Sequence, residues 1–300
     1  MLEYNPAFTP WKDEVHLDHL SASSVGGFQT CGLSWKLSHL DKVAKIGTAS
    51  WFAFGSAYHR GLEPWWLGKS PQFADAWGSY RKSKVEYYGR GSWESMYSMG
   101  MKMTSATKAV TEGKFVPISV LDKKERIEKT EDVDLGFVVV RRRIDVILEA
   151  TRLPVLDVTK GDVVEFVGKV LVDVKTAGRQ YDHRRVLTSG QLKTYAIPNH
   201  GEVFGDKLSA YIITTKTANP VVQIIGKRYD KDEIKEQIKT IKQVADQIRN
   251  GVFTRREGDH CDRCDFFDLC YKTPGWEKRY NIRRDRPRDK SIDSSAAEKK

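Results

Sequence analysis

The four cysteines of this 300-residue chain are split three and one between its two ends. Cys261, Cys264 and Cys270 form a C-x2-C-x5-C run, and the only other cysteine, Cys31, precedes that run by 230 residues. In a cytosolic protein disulfides are disfavoured, and metal ligation becomes the leading alternative. Four thiolates suit a tetrahedral Zn2+ or an iron–sulfur cluster. Structural zinc sites usually draw on two close pairs, whereas the distribution here is three plus one, and spacing alone leaves both open. Either metal ties the first helical segment to the far end of the chain, so the fold must bring those two regions together.

Between those ends the sequence pattern moves from helical to alternating. After an irregular lead-in over residues 1–20, Ser21-Ala22-Ser23-Ser24 offers N-cap hydroxyls, with Val25, Phe28 and Cys31 at helical spacing. Cys31-Gly32 ends that short helix, and Ser34 to Leu37 opens another turn. Gly47 to Leu67 reads as a longer helix with Trp51, Phe52, Phe54, Tyr58 and Leu62 on a broad apolar surface. Helical segments follow at 71–89 and 92–112, the second carrying Met96, Met99 and Met103 as core gap-fillers. Val116 to Thr130 and Leu135 to Glu149 alternate apolar and polar residues and predict an antiparallel hairpin turning near Asp132-Val133-Asp134. Pro154 and Gly161 mark Thr151 to Gly161 as a loop, and Val163 to Lys175 is the next strand, bulged at Gly168.

Gln180 to Ile197 reads as a helix, and Lys207 to Thr217 and Val221 to Tyr229 read as strands. Asp230 to Asn250 is amphipathic, with Ile234, Ile238, Ile241, Ala245 and Ile248 on one stripe and Gly251 behind it. The expectation is an α/β (α+β mixed-sheet) fold with helices on the sheet. It divides into a helical region (1–114), a mixed-sheet core (115–250), a cysteine segment (251–275) and a basic, disordered tail (276–300).

Charge bears on the partner. Fifty Lys and Arg against forty Asp and Glu leave a formal +10, which favours a polyanion, nucleic acid first. Eight Trp and twelve Tyr supply stacking surfaces for bases as well as core. No apolar run is long enough to span a bilayer. Met1-Leu2-Glu3-Tyr4-Asn5 has neither the basic segment nor the apolar core of a signal peptide, so a cytoplasmic location is expected, the host's cytoplasm for a viral source.

Within the strand Leu171-Val172-Asp173-Val174-Lys175-Thr176, Asp173 and Lys175 share one face while Val172 and Val174 take the other. Alone, such a pair is an ordinary ion pair worth little. Arg143-Ile144-Asp145-Val146-Ile147 adds a second carboxylate inside an apolar run. A buried Asp145 needs a cationic partner, either an Arg of Arg141-Arg142-Arg143 or a divalent metal shared with Asp173. His59 and Glu63, four apart on a helix, share a face, and a histidine beside carboxylates makes a site that accepts Mn2+ as readily as Mg2+. Gly55 is expected to let that helix pack closely on a neighbour. Gln191 and Tyr195, also four apart, follow on the helix after the Asp173 strand.

Together these residues resemble the PD-(D/E)XK nuclease superfamily, in its RecB-like exonuclease branch with the iron–sulfur clasp of CRISPR-adaptation nucleases and the AddB nuclease domain. Ser21-x-Ser23 with Phe28 and Cys31 resembles the family's opening pattern, and Gly55, His59, Leu62 and Glu63 its Gly-x3-His-x2-Leu-Glu pattern. Asp145 falls on its second acidic motif, Asp173, Lys175 and Thr176 on its Asp-x-Lys-Thr, and Gln191 and Tyr195 on its Gln-x3-Tyr. Two departures stand out. Gly32 replaces a common proline, and the stretch between Asp145 and Asp173 is longer than the pattern, like an insertion.

The resemblance implies a restriction-endonuclease-like core in which His59, Asp145 and Asp173, with the Val174 carbonyl, hold Mg2+ or Mn2+. Lys175 would address water and phosphate, with Gln191 and Tyr195 at the catalytic site. Cys31, Cys261, Cys264 and Cys270 would hold a structural 4Fe-4S cluster. The implied activity is a metal-dependent DNA exonuclease, acting on single-stranded or free ends in recombination, repair or phage DNA processing, with recombination or CRISPR-adaptation proteins as partners. The alternative is a DNA-binding accessory subunit whose nuclease centre is idle.

Overall fold

Ser21 opens the first helix as the sequence suggests, its side chain accepting the backbone N–H of Ser24. The computed structural model describes residues 15, 17–81, 87–88, 91–199, 205 and 207–282. Strand β1 (His19–Leu20) leads into α1 (Ala22–Thr30), and Cys31 closes α1 and opens α2 (Gly32–His39). Short strands β2 (Val43–Lys45) and β3 (Thr48–Ala49) precede α3 (Ser50–Trp66), which buries Phe54, Tyr58 and Leu62. Next come α4 (Phe73–Arg81), β4 (Tyr87–Tyr88) and α5 (Trp93–Thr111), where Met96 and Met103 are buried as expected. The expected helix to residue 89 runs to Arg81, and 82–86 lie outside the described residues.

The expected strand from Val116 to Thr130 is interrupted. Pro117 follows the two-residue β5 (Phe115–Val116), a short α6 (Lys123–Arg126) intervenes, and β6 (Ile127–Asp134) starts only after it. The hairpin to β7 (Val139–Asp157) is present, but its turn lies at Leu135–Val138, closed by the Leu135 N–H on the Val138 carbonyl with Gly136 at φ +80°. Thr151–Gly161 is not a loop: β7 continues to Asp157 and pairs with β8 (Asp162–Ala177). Pro154 fits there because β7 has one neighbour at that point, β10 reaching only Leu156 and Asp157. The apparent insertion between Asp145 and Asp173 is therefore this hairpin, and its bulge lies between Ala150 and Leu153, across from Gly168.

The expected Gln180–Ile197 helix is two, α7 (His183–Leu187) and α8 (Gly190–Tyr195), because Ser189 caps the second through the Leu192 N–H. Strands β9 (Leu208–Thr215) and β10 (Val222–Lys227) precede α9 (Lys231–Arg249), where Asp230 and Glu233 form a reciprocal capping box. The chain ends its described part in α10 (Phe267–Tyr271) and β11 (Tyr280–Ile282). The expected disordered tail at 276–300 is ordered at its start, where Trp276–Arg279 form a short 3-10 turn and β11 follows, and residues from 283 onward lie outside the described residues.

Seven strands form one mixed sheet around β7, which runs parallel to β1 and β10 and antiparallel to β5, β6 and β8. Because β8 pairs β9, β9 pairs β10 and β10 returns to β7, four strands close into a ring. Val172 and Val174 pack in one core with Phe54, Tyr58 and Leu62 of α3. Leu171 packs in a second core with Tyr195 of α8 and Ile234 of α9. A third, smaller core joins Cys31, Leu33, Leu37 and Val43 to Phe266 and Leu269, and β11 pairs antiparallel with β2 beside it. The fold is thus a mixed α/β architecture with helices on both faces. No described helix is long and apolar enough to cross a membrane.

Candidate active site

The β7–β8 ladder stops at Val146 and Val172, and the two aspartates sit at the point where the strands part. Asp145 Oδ2 accepts the backbone N–H of Val174 at 2.8 Å, replacing a ladder bond with a side chain. Asp173 is 1% exposed. Its Oδ1 accepts from Gln191 Nε2 at 2.5 Å and faces the Tyr195 hydroxyl at 3.1 Å. Gln191 and Tyr195 reach it together because they stand four apart on α8. The Tyr195 hydroxyl also lies 2.5 Å from the Arg143 carbonyl. Asp173 Oδ2, buried as well, lies 2.6 Å from Lys175 Nζ in an ion pair.

On the other side of Asp145, His59 projects from α3 with Nδ1 3.5 Å from Asp145 Oδ2 and 3.7 Å from Glu128 Oε1. His59, Glu128 and Asp145 each offer a ligand atom within 4.8 Å of the others, the one such group among the described residues. Asp173 is not a member of it. The expected His59–Asp145–Asp173 set is therefore arranged around Asp145, with Glu128 on the His59 side and Asp173 on the other.

Glu128 has no counterpart in the sequence reading. Its neighbours pair as Ile127 with Val146 and Lys129 with Ile144, which sets Glu128 across from Asp145. It holds φ at +51°, a left-handed backbone that costs a non-glycine residue about 1–3 kcal/mol. The signal that finds it is the hairpin register, which composition does not supply. Glu63 lines the same cleft but pairs with Lys123. The arginine run goes to β6: Arg141 to Asp132, Arg142 to Glu131 and Arg143 to Glu128, so none of the three is the partner of Asp145. Arg142, 2% exposed, also donates to the carbonyls of Tyr195 and Ile197 at 2.8 and 2.5 Å and so anchors the end of α8.

Burial, then the charge of Asp173, pushes Asp145 up to about 7. Burial likewise raises Asp173 against the opposing pull of Lys175. Burial works against the Lys175 ammonium, yet Asp173 and Asp145 outweigh it and hold the side chain charged. The same contest raises His59, where Glu128 and Asp145 overcome desolvation. Burial thus disfavours the charged form of both aspartates, and Lys175 and His59 oppose it. One histidine nitrogen and three carboxylates are a donor set that fits a small divalent cation.

Gly55 does not do what the sequence suggests: a Cβ there would meet nothing within 4 Å. Close approach occurs instead at Gly61, whose Cβ would lie 2.8 Å from the Cα of Phe73.

At the far end of the fold Cys31, Cys261, Cys264 and Cys270 line one pocket, closed by Leu37 and Phe266. All four are free thiols. Burial raises the thiol pKa of Cys264 and of Cys270. Among the described residues no three of the sulfurs come within the 4.8 Å that gathers the His59 group.

No curated protein matches this chain. Among solved structures it is similar to a Eubacterium rectale protein provisionally named an exonuclease, with 11% identity and a TM-score of 0.48 over 93% of this chain and 94% of that one. A sequence model of the PD-(D/E)XK nuclease superfamily matches residues 19–271, a span that holds the aspartate pair, His59, Glu128, Lys175 and every cysteine. With the match running through most of the chain and the carboxylates meeting where two sheet strands part, this protein belongs to the PD-(D/E)XK nuclease superfamily.

Proposed function

We propose that this protein is a Mg2+- or Mn2+-dependent deoxyribonuclease that removes nucleotides from DNA ends, single-stranded ends above all, in recombination, repair or phage DNA processing. The observation that carries this reading is the buried Asp173 carboxylate close to the His59–Glu128–Asp145 group. His59, Glu128, Asp145 and Asp173 would hold the ion, with the Val174 carbonyl as a further ligand. When bound, a divalent cation polarises the phosphodiester and lowers the pKa of its water. The protein's own part is positioning. Gln191 and Tyr195 hold Asp173 by Oδ1, while Oδ2 pairs with Lys175. Lys175, charged and one-third exposed, stands where a phosphate oxygen or water would meet its ammonium.

The four cysteines would hold a 4Fe-4S cluster as a structural clasp. Their common pocket supports a single metal group held by all four.

The test is degradation of end-labelled single-stranded DNA with Mn2+. The reading requires degradation by the wild type and its loss in Asp173→Ala. Binding without degradation would support the idle accessory subunit instead.

A further inference from the structure

Glycine inside a helix lowers its stability relative to alanine, so Gly55 in α3 calls for a reason, and the interior offers none. Gly26, Gly27 and Gly78 are equally open. Gly55 differs from them in lying one turn before His59, on the side of α3 that carries the metal group.

Three residues before Gly55 stands Phe52, 59% exposed, beside Trp51 at 48%. The two rings lie with centroids 6.4 Å apart, and Phe52 keeps flat apolar surface toward solvent. Phe52 is seven residues from His59, so the two project from the same side of α3, about 10 Å apart along its axis. The His59 end of this face carries Lys123, Arg143 and Lys175, 44%, 68% and 33% exposed, each paired with a carboxylate (Glu63, Glu128 and Asp173). An aromatic surface leading to a site that carries cations suits a strand that has both flat bases and charged phosphates.

We infer that the outer face of α3 is the track of a single nucleic-acid strand, in which Phe52 stacks one base, Gly55 leaves room for the backbone, and the strand continues to His59. About 10 Å equals about three stacked nucleotides at about 3.4 Å each, which places the stacked base about three nucleotides from the phosphate at the metal group. A duplex keeps its bases paired and offers Phe52 no free ring face, so the track selects unpaired DNA. This inference rests on the nuclease reading and names the substrate form of that same site.

The test compares the full chain with Phe52→Ala, Gly55→Leu and Gly55→Ala. Binding is read by fluorescence anisotropy on a fluorescein-labelled single-stranded oligonucleotide and on its blunt duplex, with Ca2+ replacing Mn2+. Hydrolysis of bis(p-nitrophenyl) phosphate with Mn2+ reads the chemistry without strand contacts. Phe52→Ala is expected to weaken single-strand binding about five-fold or more and to leave duplex binding unchanged. Gly55→Leu is expected to weaken it at least as much while melting no lower than wild type, with Gly55→Ala in between. All three should hydrolyse the small diester at the wild-type rate.

Unchanged single-strand binding in Phe52→Ala and Gly55→Leu, or an equal loss on the duplex, overturns the track. Should Gly55→Leu melt lower or lose diester hydrolysis, its effect is structural and Phe52→Ala decides alone. A wild type that degrades neither labelled single strand nor the small diester overturns the nuclease reading, and the binding series still decides the track.

Discussion

The N–H of Val174 bonds to the carboxylate of Asp145 one step beyond the last β7–β8 ladder pair, Val146 and Val172. Asp145 thereby has two duties, closing the end of the ladder and carrying charge for the site. The duties separate by substitution. Asp145→Asn keeps an acceptor for Val174 and removes one of two buried like charges, so it should melt no lower than wild type in EDTA. Its DNA cleavage should fall roughly a hundred-fold or more. Asp145→Ala leaves the Val174 N–H without a partner and should cost about 1–3 kcal/mol. Equal melting of the Ala and Asn variants would contradict the ladder-closing role.

The raised Asp145 and Asp173 fix the sign of the pH dependence. A carboxyl that titrates higher in the folded protein binds its proton more tightly there. Its contribution to stability is therefore present at low pH and lost as pH rises through the folded value, about 7 for Asp145. The raised His59 acts in the same direction. Metal-free protein should accordingly lose stability between about pH 4 and about pH 7. Because a cation competes with the shared proton, the rise in Tm on adding Mn2+ should be larger at the upper pH. Melting curves with EDTA and with Mn2+ at both values check this, and a Mn2+ shift that does not grow with pH counts against the site.

Glu128 combines a left-handed backbone with a ligand carboxylate. Glycine normally weakens a strand relative to alanine, but at this φ the order should reverse. Glu128→Gly should be about 1 kcal/mol more stable than Glu128→Ala, while both bind Mn2+ equally weakly. Denaturant unfolding of the pair with a parallel Mn2+ titration reads both effects. An alanine variant as stable as the glycine one would remove backbone strain from the account.

Cys264→Ser tests the clasp. Anaerobically purified wild type should absorb near about 400 nm and the variant should not. With a ligand gone, trypsin should reach Arg255, Arg256 and Arg263 while the sheet core survives as a fragment. A colourless wild type containing zinc and no iron would decide for Zn2+.

Legibility in the sequence followed how local each signal was. The helix after Asp230 shows its Ile stripe and its capping pair within a few turns, and it forms as read. The β6–β7 hairpin was visible from alternation, although its turn moved to Gly136, the residue able to take a positive φ. Pro154 and Gly161 look like loop markers because a sequence does not reveal that β7 lacks a second neighbour at Pro154. Ser189 splits one expected helix because a serine reads alike as helix surface and as cap until the backbone turns. Within the site, His59, Asp145, Asp173, Lys175, Gln191 and Tyr195 were named from the chain, and the structure gathers them about two strands. Glu128 was missed because it lies in a run of charges, Glu125 to Glu131, where only cross-strand register distinguishes a ligand from a solvated face.

The meeting of β2 with β11, and of Cys31 with Cys261, Cys264 and Cys270, also sets an order of events during synthesis. Helices α1 and α2 leave the ribosome early, yet their partners emerge only after the whole sheet has been made. The smallest core is therefore the last to close, and it closes by contacts of very long sequence separation. A nascent chain offers incoming metal a single thiol until residue 261 appears and four only once Cys270 is out. A metal held by all four cysteines would therefore bind only after the whole sheet has been made.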